Sequence, residues 1–180
     1  EMIVLVDEEN KPLSTAPKIN FHHNKTPLHR AFSVFLINKK GELLLQQRSF
    51  TKTTWGGFWS NSCCGHQVLH EKIEITARKR VKFELGISVN NLQIILPNFR
   101  YYAEKDGLAE NEICPVLVGF TEEIPHPNPE EVHATKWIKW EDFLLEIKQP
   151  DCQFSPWAIE EVELIAENKD FTQLFKTYTD

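Results

Sequence analysis

The stretch "AFSVFLINKKGELLL", residues 31–45, constrains the fold of this chain more than any other. Its runs "AFSVFLI" and "LLL" do not alternate between apolar and polar residues. A strand with one wet face alternates with period two, so these strands should be central and covered on both sides. The intervening "KKG" predicts a β-hairpin between 29–38 and 42–48, with its turn near Gly41. A sheet buried on both faces needs a layer of other elements above and below it.

The rest of the chain supplies those layers. "MIVLV" (2–6) reads as a strand, followed by the turn-like "DEEN". The stretch 49–65, with Gly56, Gly57 and Gly65, reads as a long loop. From Glu71 to about Leu85 the period changes: Ile73, Ala77, Val81 and Leu85 recur every four residues on one face of an amphipathic helix. Gly86 supplies its C-cap. Residues 92–104 and 110–123 read as two strands around the turn "KDG", and 134–140 as another. "WEDFLLEIK" and "PWAIEEVELIAENK" read as helices that close the chain. The order of these elements predicts an α+β sandwich, a sheet with helices on both faces. No linker and no internal repeat interrupts 1–180, which is read as one domain.

Composition narrows the class of function. The chain is 41% hydrophobic and 26% charged, which argues against disordered and fibrous classes. Its net charge of −6 argues against a general nucleic-acid binder, while leaving room for a local basic pocket for a small anion. No apolar run approaches the roughly 20 residues of a membrane span. The four cysteines, Cys63, Cys64, Cys114 and Cys152, form no C-x-x-C pair, so a four-cysteine zinc site is not expected. No signal peptide is visible. The reading is a soluble, reduced, cytoplasmic protein with no nucleic-acid or membrane partner and an open oligomeric state.

Candidate chemistry is concentrated in a few places. "FHHNKTPLH" offers His22, His23 and His29, "CGH" adds His66, and "AENEIC" adds Glu110 and Glu112. On a strand, Glu110 and Glu112 point to the same face. Two carboxylates on a largely buried face repel and lose hydration, and a cation between them relieves both costs. Imidazoles with carboxylates suit Mn²⁺, Mg²⁺ or Zn²⁺. The plain alternative is a solvated strand end with scattered histidines. Cys64 sits in the glycine-punctuated loop two residues from His66, whereas its neighbour Cys63 is expected to point away and fill core.

The segment 65–87 adds a motif. Gly65, five residues, Glu71, seven residues and then "KRVKFELGI" resembles the Nudix box. The match is partial: Lys79 stands at the Arg position, Arg80 at the first Glu and Phe83 at the next, leaving Glu84 of the acidic cluster. One carboxylate can help hold a metal on a diphosphate but is poorly suited to a hydrolytic site. The plain alternative for Glu84 is a helix salt bridge with Arg80, four residues earlier.

Together, "HRAFS", "W…G.W.NS.CGH", "FELG", "FRYYA", "ENEICPV" and "FSPW" resemble the type I isopentenyl diphosphate isomerases, a branch of the Nudix fold that isomerises rather than hydrolyses. The resemblance implies a Nudix-type α/β/α sandwich with a mixed β-sheet covered by helices. It implies a tightly held divalent metal, Mn²⁺ or Zn²⁺, on His22, His29, His66, Glu110 and Glu112. Glu84 would hold a Mg²⁺ that also contacts the substrate diphosphate. Cys64 and Glu112 would be the acid–base pair flanking the double bond, with Tyr101 beside Glu112 and Trp157 facing the hydrocarbon. Lys18, Arg48, Lys52 and Arg80 would bind the diphosphate. Trp55 and Trp59 read as loop anchors. His70 stands where family members often have glycine, and it could distort the loop or add a stray ligand. His23 has no placed role. The competing readings are a Nudix hydrolase of a nucleoside diphosphate derivative and a diphosphate sensor without turnover.

Overall fold

The structure, a computed structural model, describes residues 2–18 and 25–180. In chain order the strands and helices begin with β1 (Met2–Val6), β2 (Pro12–Pro17), β3 (His29–Arg30), β4 (Phe32–Ile37), β5 (Glu42–Arg48), β6 (Trp59–Ser60) and β7 (Cys63–Gly65). Helix α1 (Ile73–Leu85) precedes β8 (Leu92–Leu96), β9 (Arg100–Lys105), β10 (Leu108–Ile113), β11 (Val116–Phe120) and β12 (Val132–Lys139). Helices α2 (Trp140–Glu146), α3 (Pro156–Ala166) and α4 (Lys169–Thr179) follow.

The strands form two sheets. One runs β2-β1-β3-β10-β9; the other runs β12-β5-β4-β11-β8, with β6 on β5 and β7 on β4. Pairing is antiparallel except for β10 with β3 and β11 with β4. The expected two-sided burial holds. Phe32, Val34, Leu36 and Leu44 meet Ile73, Ala77, Val81 and Leu85 of α1. Phe35, Ile37, Leu43 and Leu45 meet Trp140, Phe143, Ala158, Val162, Ile165 and Phe171 on the opposite face. Each fully buried Val, Leu, Ile or Phe among them contributes about 1.5–3 kcal/mol. Helix α1 ends as expected: Gly86 takes a left-handed φ of 71° and returns its N–H to Lys82.

Five local expectations need correction. Residues 92–104 are two strands, β8 and β9, and they lie in different sheets. Residues 110–123 likewise divide into β10 and β11, because Pro115 offers no ladder N–H and restricts Cys114 before it. The run from His29 to Asn38 divides at Ala31 in the same way. Apolar patterning cannot register this change of sheet, since both sides of the break are buried. The loop 49–65 contains β6 and β7, and the terminal helix stops at Ala166, where Asn168 caps a separate α4 through its side chain. The hairpin turns fall where expected, at Gly41 and at Asp106–Gly107, whose positive φ values of 54° and 78° suit a two-residue turn.

The breaks at Ala31 and Cys114 lie side by side. Ala31 N–H donates to Ile113 O at 2.9 Å, and Ser33 N–H donates to Pro115 O at 3.1 Å. Two distant segments thus step together from one sheet into the other.

Candidate active site

The row of chemistry begins just before that step. In strand register His29 of β3 stands opposite Glu112 of β10, and Glu112 stands opposite Tyr101 of β9. Register alone therefore lines up an imidazole, a carboxylate and a phenol. His29 Nε2 lies 3.2 Å from Glu112 Oε1, and Tyr101 donates its hydroxyl to Glu112 Oε2 at 2.7 Å. His66, one residue past β7, brings its Nε2 to 3.5 Å from the same Glu112 Oε1. His29 is oriented from behind, with Nδ1 donating to Pro27 O at 2.8 Å, which leaves Nε2 facing the carboxylate.

Burial sets the ionisation of this row. Burial alone would raise Glu112, but His29 and His66 outweigh it and hold the carboxyl well below its usual range. Burial would lower His29, and the Glu112 carboxylate more than reverses this, so its pKa is raised. Tyr101 is pushed well above its ordinary value, first by burial and then by Glu112 and Glu110.

The set suits a divalent metal. The ligand atoms of His29, His66 and Glu112 all lie within 4.8 Å of one another. Donors on one ion, each at about 2.0–2.2 Å, stand roughly 3–3.5 Å apart, so modest side-chain movement would bring these three onto one ion. His29 Nε2 is buried and is turned toward Glu112 Oε1 without a well-aligned hydrogen bond, an orientation that suits a metal ligand. Glu110 is buried on the same strand and lines the same cavity, but it lies outside this tight group. His22 and His23 lie outside the described residues. His70 is exposed and is not in the group, so it is not a stray ligand among the described residues. Its φ of 65° lies in the left-handed region that glycine adopts most freely.

Cys64 approaches from the other sheet. It pairs with Ser33 across β7 and β4. Its Sγ donates to Asn61 Oδ1 at 3.0 Å and lies 3.5 Å from Ser33 Oγ. Asn61, fully buried, is locked by its own amide, which donates to Val34 O and Cys63 O. Burial first, and then the neighbouring Glu161 carboxyl, push the Cys64 thiol up to about 12. Cys64 is therefore held as a thiol. Cys63 points into the core under α1, as expected. Gly65 lets this strand lie close to the helix: a Cβ there would stand 2.8 Å from Phe32 Cζ and 3.1 Å from Arg80 Cγ.

Trp157 completes the wall. It opens α3, is buried, and its ring centroid lies 5.5 Å from Tyr101 and 5.3 Å from Trp55. The Arg48 guanidinium carbon lies 5.4 Å from that centroid, fixed by Nε and Nη2 donating to Thr54 O. Ser33, Cys64, His66, Tyr101, Glu110, Glu112 and Trp157 line one narrow cavity of about 40 Å³ together with Lys18, Arg48, Lys52, Arg80 and Glu84. Glu84 is buried, accepts from Arg80 Nε at 2.6 Å and from Gln46 at 3.3 Å, and so does make the helix salt bridge.

The matching domain model is the NUDIX domain, over residues 27–158. An isopentenyl-diphosphate Delta-isomerase of Saccharopolyspora erythraea is 41% identical over 168 residues, 93% of this chain and 87% of that protein. The chain belongs to the isopentenyl-diphosphate Delta-isomerases, within the NUDIX fold. The isomerase of Paenarthrobacter aurescens is 44% identical over 87% of this chain and 86% of its own, and that of Salmonella arizonae 42% over 88% of each. Among solved structures, DR0079 from Deinococcus radiodurans superposes with a TM-score of 0.71 at 18% identity, covering 91% of this chain and 98% of its own. A MutT protein from Methanosarcina mazei Go1 gives 0.63 at 19%, covering 78% and 94%. At such identities these structures speak for the isomerase's fold alone.

Three buried polar residues of the isomerase escaped the sequence reading: Ser33, Asn61 and Glu161. Ser60, Asn61 and Ser62, three buried polar residues in a row, carried a signal, since such a run inside a core must be holding something. Glu161 had a weaker one, its position four residues after Trp157 on the same helical face.

Proposed function

We propose that the chain, with 1–180 acting as one isomerase domain, interconverts isopentenyl diphosphate and dimethylallyl diphosphate. The observation that carries this reading is a narrow cavity whose lining includes both the Cys64 thiol and the Glu112–Tyr101 pair, with cations at hand. The terminal carbon of the double bond takes a proton and the carbon nearer the diphosphate gives one up. The π pair becomes the new C–H bond and the released C–H pair becomes the new double bond, so no electrons change hands. Cys64 carries a transferable proton, and Glu112, with Tyr101 hydrogen-bonded to it, works on the opposite face.

Protonation leaves a tertiary carbocation, which water would capture. A site that holds such a cation must admit the five-carbon chain and exclude solvent around it. Trp157 presents an aromatic face worth on the order of 2 kcal/mol to a desolvated cation. Arg48, Lys52, Arg80 and Lys18 neutralise the diphosphate while the rest of the protein stays acidic.

His29, His66 and Glu112, with His22 and Glu110, would hold Mn²⁺ or Zn²⁺, and Glu84 would hold Mg²⁺ shared with the diphosphate. When bound, such ions supply positive charge that keeps Glu112 ionised and shields the substrate's anionic end. The pathway served is isoprenoid biosynthesis. Among the described residues no helix is long and apolar enough to cross a membrane. The four cysteines are free, and a reducing, cytoplasmic setting is part of this reading. The hydrolase reading is set aside: Arg80 and Phe83 occupy carboxylate positions, and Phe83 is exposed.

Incubation with isopentenyl diphosphate and a divalent metal in D₂O tests the proposal. Deuterium should enter the allylic product, and Cys64→Ala or Glu112→Gln should suppress turnover far more than binding. Phosphate release without deuterium exchange would overturn it.

A further inference from the structure

The basic side chains around the cavity are not independent. Lys52 Nζ and Arg80 Nη2 both donate to one oxygen, Oε2 of Glu131, the Arg80 bond measuring 2.6 Å. All three side chains are about four-fifths buried. Lys52 and Arg80 line the cavity, and Glu131 is not part of its wall. Lys18 acts electrostatically on the same carboxylate. Glu131 belongs to the turn before β12, and that turn is stitched to both neighbours. Asn128 N–H donates to Glu84 O at 2.8 Å and His126 N–H to Leu85 O at 2.7 Å, tying it to the end of α1. Ser49 N–H donates to Glu131 O at 3.0 Å, tying it to the end of β5.

Two cations whose heads reach a single oxygen repel each other, and long side chains lose much rotamer freedom when held together. A fixed carboxylate between them offsets both costs before any anion arrives. A surface ion pair would not need backbone bonds on two sides, partial burial and one shared oxygen.

We propose that Glu131 is a positioning residue for the diphosphate end of the substrate, holding Lys52 and Arg80 extended toward the cavity. The inference rests on the reading that these two cations bind the diphosphate. Glu131 touches neither substrate nor reacting carbon in this role. It acts on the affinity for the anion, through preorganisation.

Steady-state kinetics of the metal-loaded enzyme test it, with inorganic pyrophosphate as a competing anion. Glu131→Gln should raise KM and the pyrophosphate inhibition constant about fivefold or more, leaving kcat within about twofold, because a neutral amide no longer balances two cations. Glu131→Asp should recover part of that loss. Lys52→Ala and Arg80→Ala serve as references. If they raise KM and Glu131→Gln does not, the role of Glu131 is wrong while the cation reading stands. If neither reference raises KM, the underlying reading fails and this inference with it. A fall in KM for Glu131→Gln would mean that the carboxylate competes with substrate, and a parallel collapse of kcat would mean general damage. Either result overturns the proposal.

Discussion

Tyr101 and Glu112 face each other across the β9–β10 ladder, and the tyrosine hydroxyl donates to the carboxylate at 2.7 Å while His29 approaches the carboxylate's other oxygen. The two oxygens of one side chain are thus divided between a phenol and an imidazole.

Tyr101→Phe separates these duties. It removes one hydrogen bond to a buried carboxylate, a change worth about 1.5–3 kcal/mol. The expected result is a fall in kcat of roughly ten- to hundredfold, with little change in KM and with metal binding retained. Steady-state kinetics alongside metal content per chain check this.

Metal binding should be sensitive to acid. Glu112 raises His29 in the metal-free protein, and a protonated imidazole cannot ligate. Affinity for Mn²⁺ or Zn²⁺ should therefore fall as pH drops through the raised histidine value, starting above the usual histidine range. Saturating metal at about 100 times its dissociation constant adds about 2.7 kcal/mol of stability. The corresponding rise in Tm should be large for the parent, small for His29→Ala and His66→Ala, and weaker at pH 5.5 than at pH 8.

Cys64 should be a sluggish thiol in the metal-free protein. With its pKa pushed up to about 12, only a small thiolate fraction exists at neutral pH. Alkylation by iodoacetamide, followed by peptide mapping, should speed up about tenfold per pH unit between pH 7 and 10. A plateau near pH 8 would contradict the burial argument.

Glu161 gives a stability signature. It is fully buried, Cys114 Sγ lies 3.9 Å from its Oε1, and Oε2 has no hydrogen-bond partner. Burial, then Glu112 and Glu160, raise its pKa well above the ordinary carboxyl value. Below the unfolded value both states are protonated and no penalty applies. As pH rises through that value, the unfolded chain ionises and the folded one does not, so stability is lost progressively until the folded value is reached. Glu161→Gln removes this loss. Its Tm relative to the parent should improve from pH 4 to pH 8, and a flat difference would contradict it.

The sequence made the sheet with two covered faces legible, because "AFSVFLI" and "LLL" admit no wet side. It placed α1 through the spacing of Ile73, Ala77, Val81 and Leu85, all buried against that sheet. The convergence of His29, His66 and Glu112 was within reach once the motifs were recognised, since strand parity puts Glu110 and Glu112 on one face. Glu131 was beyond it. Its role depends on a turn pinned to two elements about 50 and 80 positions earlier in the chain, and neither propensity nor period encodes such a contact. Ser33 and Glu161 were hidden for a related reason: each sits within an apolar pattern and differs from its neighbours only in what it meets across the core.

The parallel step of residues 29–33 and 113–116 from one sheet to the other has a consequence for how activity can arise. His29, Cys64, His66 and Tyr101 lie before the Asp106–Gly107 turn, and Glu110, Glu112 and Trp157 lie after it. A piece of the chain ending at that turn holds the imidazoles, the thiol and the phenol without the carboxylate they converge on. Chemistry begins only when the two portions are sewn edge to edge, so the catalyst is a property of the seam.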